Sequence, residues 1–263
     1  MGRQLPLGKV LNRLAGLWPF GWVLRPFFGS THNEALIVPV QETVRVDDSV
    51  VLPHALLAPL VAMASRRFLM NTCLCRRAEG CSAYPHDIGC LFLGDGVDGI
   101  NPALGRPVGV AEAHDHLQRA VAAGLTPLVV HSSFDAYILG IPYRRMLGVC
   151  FCCDCCCAVR QGLRIGPRAF WDTVLRLPGL TVVVGEKCVG CGACGEVCHV
   201  RAIWLQNGRA RIAEHCKGCG RCLTVCPVAA IELHLAADVD VLDRLVSRVR
   251  QRTDIGSGIA PNG

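Results

Sequence analysis

Apolar and polar positions alternate between Leu36 and Leu52 (LIVPVQETVRVDDSVVL), and a period of two predicts one or two short strands. The period then lengthens. From Pro53 to Met70 (PHALLAPLVAMASRRFLM) the spacing predicts a helix, with Pro53 suited to a first turn and Pro59 pulling the start towards itself. Residues 110–123 (VAEAHDHLQRAVAA) carry the clearest helical pattern, closed by Gly124 in the left-handed capping role. Glu112, Asp115, His116 and Arg119 are expected on its solvated face. His114 and His116 look like a ligand pair, but two helical positions place them about 200° apart. Leu125 to Ser132 (LTPLVVHS) reads as a buried strand, so helix followed by strand suggests an α/β arrangement.

Further on, residues 166–178 read as a linker with a short helix, and 181–184 (TVVV) as a strand. The segment AIWLQNGRARI reads as a hairpin turning at Asn207-Gly208, and AAIELHL as a closing strand. Val239, Leu242, Leu245, Val246 and Val249 fall at helical spacing, so 237–252 is expected to be amphipathic, with a flexible end after it. The fold class expected is α+β: an arm over 1–50, a cysteine-rich α/β domain over 51–165, a smaller domain over 181–236, and a tail from 237.

Residues 5–28 combine Trp18, Phe20, Trp22, Phe27 and Phe28 with Lys9, Arg13 and Arg25. The charges and Pro19 and Pro26 exclude a membrane-spanning helix, and no compact apolar stretch marks a signal peptide. The segment reads as an arm packed on its own domain, or else as an interfacial contact with a membrane or a partner's groove.

Composition changes this picture in one respect. Of the 51% of residues that are apolar, 18 residues are cysteines. Ten lie between Cys73 and Cys157, and eight between Cys188 and Cys226. The formal charge is +6, and 161–227 is the most basic stretch, with nine Lys and Arg against four Asp and Glu. Basic residues do not interleave with aromatic ones as in single-strand binders, so no nucleic-acid partner is expected.

The eight later cysteines repeat one phrase: Cys188-x2-Cys191-x2-Cys194-x3-Cys198, then Cys216-x2-Cys219-x2-Cys222-x3-Cys226 followed by Pro227. This spacing resembles the bacterial ferredoxin ligand pattern, which implies that three close cysteines hold three irons of one cubane while the fourth reaches the neighbouring cluster. That reading crosses the pairs: Cys188, Cys191, Cys194 and Cys226 on one [4Fe-4S] cluster, and Cys216, Cys219, Cys222 and Cys198 on the other. Structural zinc is the competing reading, but it has no use for a third cysteine at the same spacing in each copy. Gly190, Gly192, Gly195, Gly218 and Gly220 lie among the ligands, where backbone must approach sulfide closely. Over 181–236 the chain resembles the two-cluster bacterial ferredoxins, departing where Cys198 is followed by His199 and not proline. Free thiolates and cluster assembly imply a reducing compartment, so the cytoplasm is expected, or its membrane face if the arm is interfacial.

Upstream, Cys73, Cys75, Cys81 and Cys90 make a plausible metal site, with His86 and Asp87 as weaker candidates. The run Cys150-Phe-Cys152-Cys153-Asp-Cys155-Cys156-Cys157 would, if extended, turn Cys150, Cys152 and Cys156 to one face and Cys153, Cys155 and Cys157 to the other. A tight loop would break that sorting. Adjacent free thiols are oxidation liabilities, so ligation explains the run better than packing does. CLCR, the IGCLFLG segment, GLxPLV and CFCCDCCC together resemble, over 52–236, prokaryotic ferredoxin-like iron-sulfur proteins with an N-terminal cysteine-rich domain. The resemblance implies iron-sulfur chemistry and no particular substrate.

No nucleophile elbow surrounds His131, Ser132 and Ser133, and no glycine-rich phosphate loop is present. The leading expectation is an electron-transfer protein or oxidoreductase subunit with two [4Fe-4S] clusters, a further upstream iron-sulfur centre and redox partner proteins. The alternatives are a reductase whose upstream centre binds a small molecule, and a metal- or cluster-handling factor.

Overall fold

Antiparallel pairing of short apolar runs builds most of the architecture. The computed structural model describes residues 33–39, 44–46, 49–51, 56–165, 168–236 and 239–256. The aromatic arm of residues 5–28 and the final residues 257–263 lie outside them.

A seven-stranded sheet takes the order β6-β4-β5-β8-β7-β1-β9, with β1 Asn33–Ile37, β4 Arg67–Met70, β5 Leu91–Leu93, β6 Gly105–Pro107, β7 Thr126–Ser132, β8 Leu147–Cys152 and β9 Val174–Arg176. All neighbours are antiparallel except β1 and β9, so this is a mixed sheet. A second sheet runs β10-β13-β2-β3, from β10 Leu180–Val184, β13 Ile231–Leu235, β2 Val44–Val46 and β3 Ser49–Val51. The third is the hairpin of β11 Ile203–Gln206 and β12 Arg209–Ile212, which turns through Asn207 (φ 51°) and Gly208 (φ 71°) as its dipeptide predicted. The fold is mixed α/β.

Several segments differ from expectation, each for a physical reason. The described residues between Leu36 and Val51 fall in three strands, β1, β2 and β3, divided between two sheets. The helix over 53–70 is short: α1 covers Leu57–Met63, and Pro59 sits in its first turn where no N–H bond is lost. Ala64 turns extended, Arg67 donates to the carbonyls of Val61, Ala62 and Ala64, and the apolar RFLM run pairs as β4. The chain next makes the short α2, Leu74–Ala78. Residues 166–178 carry β9 as well as a short helix, because Val174 to Arg176 find an open edge on β1.

Helix α3, Val110–Ala122, matches its pattern and is followed by Gly124 at φ 74°. His116 is the exception, buried at 3% exposure rather than solvated. Its Nε2 is 2.8 Å from the Gly89 carbonyl and its ring meets Phe151 edge-on. Helix α4, Ser133–Leu139, is capped by the Ser132 hydroxyl, so the His131-Ser132-Ser133 cluster is structural. After it come α5, Ala158–Ile165, and α6, Arg168–Trp171. The tail helix, α9, Val241–Arg252, starts at the Asp240 cap and buries Val241, Leu245, Val246 and Val249. One continuous apolar cluster joins Leu128 and Val149 of the large sheet to Leu180, Leu233, Leu245 and Val249.

Burial lowers the pKa of both His116 and His131. A histidine depressed in the folded state gives stability that is complete above its unfolded pKa, about 6.5, and is lost as pH falls through the folded value. Thermal stability is therefore expected to fall below about pH 6.5, and His116→Gln should flatten that fall when melting is followed at several pH values. An unchanged slope would assign the pH dependence elsewhere.

Candidate metal centres

The two cysteine phrases fold as a repeat in space. Each wraps into a loop and a short helix: α7, Ala193–Glu196, after Gly192 (φ 82°), and α8, Arg221–Thr224, after Gly220 (φ 81°). The fourth thiols match as well. Cys198 Sγ accepts the Ala202 N–H and Cys226 Sγ the Ala230 N–H, both at 3.2 Å. At equivalent positions between them, Arg201 (φ 50°) and Ala229 (φ 46°) take left-handed conformations that swing those amides onto sulfur. Cys188 Sγ accepts from Ala210 N and Cys216 Sγ from Gly218 N, both at 3.4 Å. Such N–H donors stabilise thiolate over thiol.

Cys226 of the second run adjoins the first three cysteines of the first, and Cys198 of the first run is within electrostatic reach of Cys216 and Cys222 of the second. Cys226 lines one recess together with Cys188, Cys191 and Cys194. Across the repeat, burial and then the charges of Cys219, Cys216 and Cys198 raise the Cys222 thiol, while Cys198 and Cys219 also act on Cys216. Cys194 reaches Cys222 as well, so the two groups adjoin.

Gly190, Gly192, Gly218 and Gly220 have positive φ, whereas Gly195 lies within α7. A Cβ on Gly190 would stand 2.3 Å from the Gly208 carbonyl oxygen. Gly190→Ala therefore adds left-handed strain of about 1–3 kcal/mol to a backbone clash. It is expected to lower iron content selectively in the group around Cys188. Full iron at normal stability would show that the loop can move aside.

The ten upstream cysteines separate into two groups. The CFCCDCCC run is not extended throughout, so the alternation does not hold: β8 ends at Cys152 and the chain turns through 154–156 before α5. That turn carries Cys153, Cys155 and Cys156 to Cys81, with all four Sγ atoms within 4.8 Å of one another. The other six gather around the end of β8. Cys90 and Cys150 Sγ are 3.5 Å apart, Cys75 is hydrogen bonded to Cys73, and Cys152 to Cys157. Donation to Cys73, then burial and the charges of Cys157, Cys73 and Cys90, push the Cys75 thiol well up. Accepting that hydrogen bond brings Cys73 down to about 6.

His86 and Asp87 do not join either group. His86 Nε2 meets the Cys81 carbonyl at 2.6 Å, and Asp87 pairs with Arg119 at 3.0 Å on the surface.

Two buried arginines organise these cysteines, and the sequence pattern did not single them out. Arg76 is fully buried. Nε donates to the Pro85 carbonyl at 2.8 Å, Nη1 to Phe151 at 2.7 Å, and Nη2 to Ile88, tying the 81–90 loop to β8. Among the described residues no carboxylate pairs with it, and its charge lowers Cys73. Arg160, also buried, acts electrostatically on Cys219 on one side and on Cys157 and Cys152 on the other. It donates to Asp154 and Thr126, and its Nη1 lies 2.9 Å from His199 Nε2. His199, which stands where the ferredoxin pattern has proline, thus links the two cysteine-rich regions. Arg221 completes the junction, with Nε 2.7 Å from Asp154 Oδ1 and Nη2 donating to the Gly124 carbonyl at 2.8 Å.

Residues 194–236 match the family model described as the LdpA Fe-S cluster-binding domain. The chain is an iron-sulfur protein. No curated protein and no solved structure matches it. Its residues suit the cofactor: thiols in groups, amides aimed at sulfur, and glycines where a Cβ would close the loop. Among the described residues no helix is long and apolar enough to cross a membrane.

Proposed function

We propose that this chain is an electron-transfer protein with two [4Fe-4S] clusters, held by Cys188, Cys191, Cys194 and Cys226 and by Cys216, Cys219, Cys222 and Cys198. The observation that carries this reading is the crossed grouping, in which Cys226 shares a recess with the first run and Cys198 acts on the second. A four-iron cluster, when bound, accepts and releases one electron at a time. The chain's own residues set its surroundings: N–H donors to the thiolates, partial exclusion of water, and the positive charge of Arg160 beside Cys219.

The six thiols Cys73, Cys75, Cys90, Cys150, Cys152 and Cys157 are read as a further iron-sulfur site. Arg76 supports this. A fully buried guanidinium with no carboxylate partner among the described residues is costly, and a thiolate-ligated centre of net negative charge supplies the counter-charge. Metal also replaces the protons that buried neighbouring thiols otherwise retain. Arg160 lies between this site and Cys219, which suits exchange of electrons between the two regions.

Cys191 is exposed at the rim of the first recess, beside Val189 at 63% exposure and Leu205 at 49%, with Trp204 nearby in the hairpin. We assign this apolar rim to contact with a redox partner protein. The reading is tested by reducing the full chain anaerobically and recording its low-temperature EPR spectrum. Two interacting four-iron signals are expected, and a reduced protein without any such signal would refute the assignment. A small-molecule ligand that perturbs only the upstream signal would favour the reductase alternative.

A further inference from the structure

Cys81, Cys153, Cys155 and Cys156 differ in kind from the other cysteine groups. Cys155 Sγ lies 3.5 Å from both Cys81 and Cys156 Sγ, and no pair among the four exceeds 4.8 Å. Four thiolates on one tetrahedral ion, with metal-sulfur bonds of about 2.3 Å, have edges of roughly 3.8 Å. In a cubane each cysteine terminates a different iron, which spreads the sulfurs to the outer corners. The spacing here suits one ion.

Local hydrogen bonds fit the same reading. Cys81 Sγ accepts from the backbone N–H groups of Ala83 and Tyr84, two and three residues on. Cys153 Sγ accepts from Cys156 N at 3.3 Å, again three residues on. Tight turns that aim successive amides at a cysteine sulfur stabilise thiolate, the form that binds metal. Two sulfurs are buried and one is exposed, so an ion could enter from the surface.

We propose that these four cysteines hold a single tetrahedral divalent ion, zinc or ferrous iron, without inorganic sulfide. The ion fixes the 153–156 turn, and with it the direction of Asp154, whose carboxylate meets Arg160, Arg221 and the Tyr84 hydroxyl at the junction with the Cys219 region. Its role is to clamp that junction rather than to carry electrons. The proposal stands independently of the electron-transfer reading.

The full chain, purified without oxygen, tests it. Cys155→Ser, at the exposed position, is expected to lose about one zinc or iron ion per chain while acid-labile sulfide and the reduced EPR spectrum stay unchanged. Elemental analysis of the lost ion distinguishes the two metals. Cobalt(II) exchanged into the wild-type chain is expected to show the ligand-field bands of tetrahedral thiolate coordination, and Cys155→Ser to lack them. Loss of sulfide in step with iron would place Cys155 on a cluster and overturn the proposal. A wild-type chain without tetrahedral cobalt bands would overturn it too, whatever the variant does.

Discussion

Cys226→Ala is expected to abolish the cluster associated with the first cysteine run, although the residue lies in the second, removing about four irons and four sulfides per chain. Cys198→Ala is expected to remove the other cluster and spare the first. Cys226 lines the recess of Cys188, Cys191 and Cys194, while Cys198 acts electrostatically on Cys216 and Cys222. Each variant should be checked by reduced EPR beside iron and sulfide analysis. Cys191→Ala and Cys226→Ala should leave the same surviving signal, and Cys219→Ala and Cys198→Ala the complementary one. Matching spectra for Cys226→Ala and Cys219→Ala would instead mean that each run ligates its own cluster.

The second large effect is expected at Arg76. Replacing it with leucine removes three hydrogen bonds to the carbonyls of Pro85, Phe151 and Ile88, all within a fully buried site. Each carbonyl left without a donor costs about 1–3 kcal/mol. The variant should lose several kcal/mol of stability and release iron from the upstream thiols before the later ones. Arg76→Lys keeps the charge but not the planar fork, and should recover only part of the loss. Thermal unfolding with parallel iron analysis reads both effects. A stable Arg76→Leu chain with full iron would show that neither the carbonyls nor the centre depends on the guanidinium.

Local spacing carried the most reliable readings. The Asn207-Gly208 hairpin and α3 depend on neighbours in sequence, and both match the structure closely. The division of the upstream cysteines did not follow from spacing, because Cys81 reaches Cys155 across 74 positions and the turn at Asp154 cancels the alternation of the strand. His116 was misplaced for a related reason. Its helical position borders the apolar stripe, and the Gly89 carbonyl and Phe151 ring that draw it inward come from distant segments. Arg67 to Met70 continued a helical pattern, but two strands waiting on either side decided the outcome. The buried arginines were the least legible feature. A lone Arg looks like a surface residue until the chain folds carbonyls and thiols around it. One sign was present in the sequence: histidine at 199 in place of proline marks the point where the repeat contacts the upstream domain.

Iron and acid-labile sulfide per chain, measured on the full-length protein purified without oxygen, test the central claim most directly. Two crossed clusters predict at least about eight of each, with more if the six upstream thiols also hold an iron-sulfur centre. A value near four, or iron without sulfide, would contradict it.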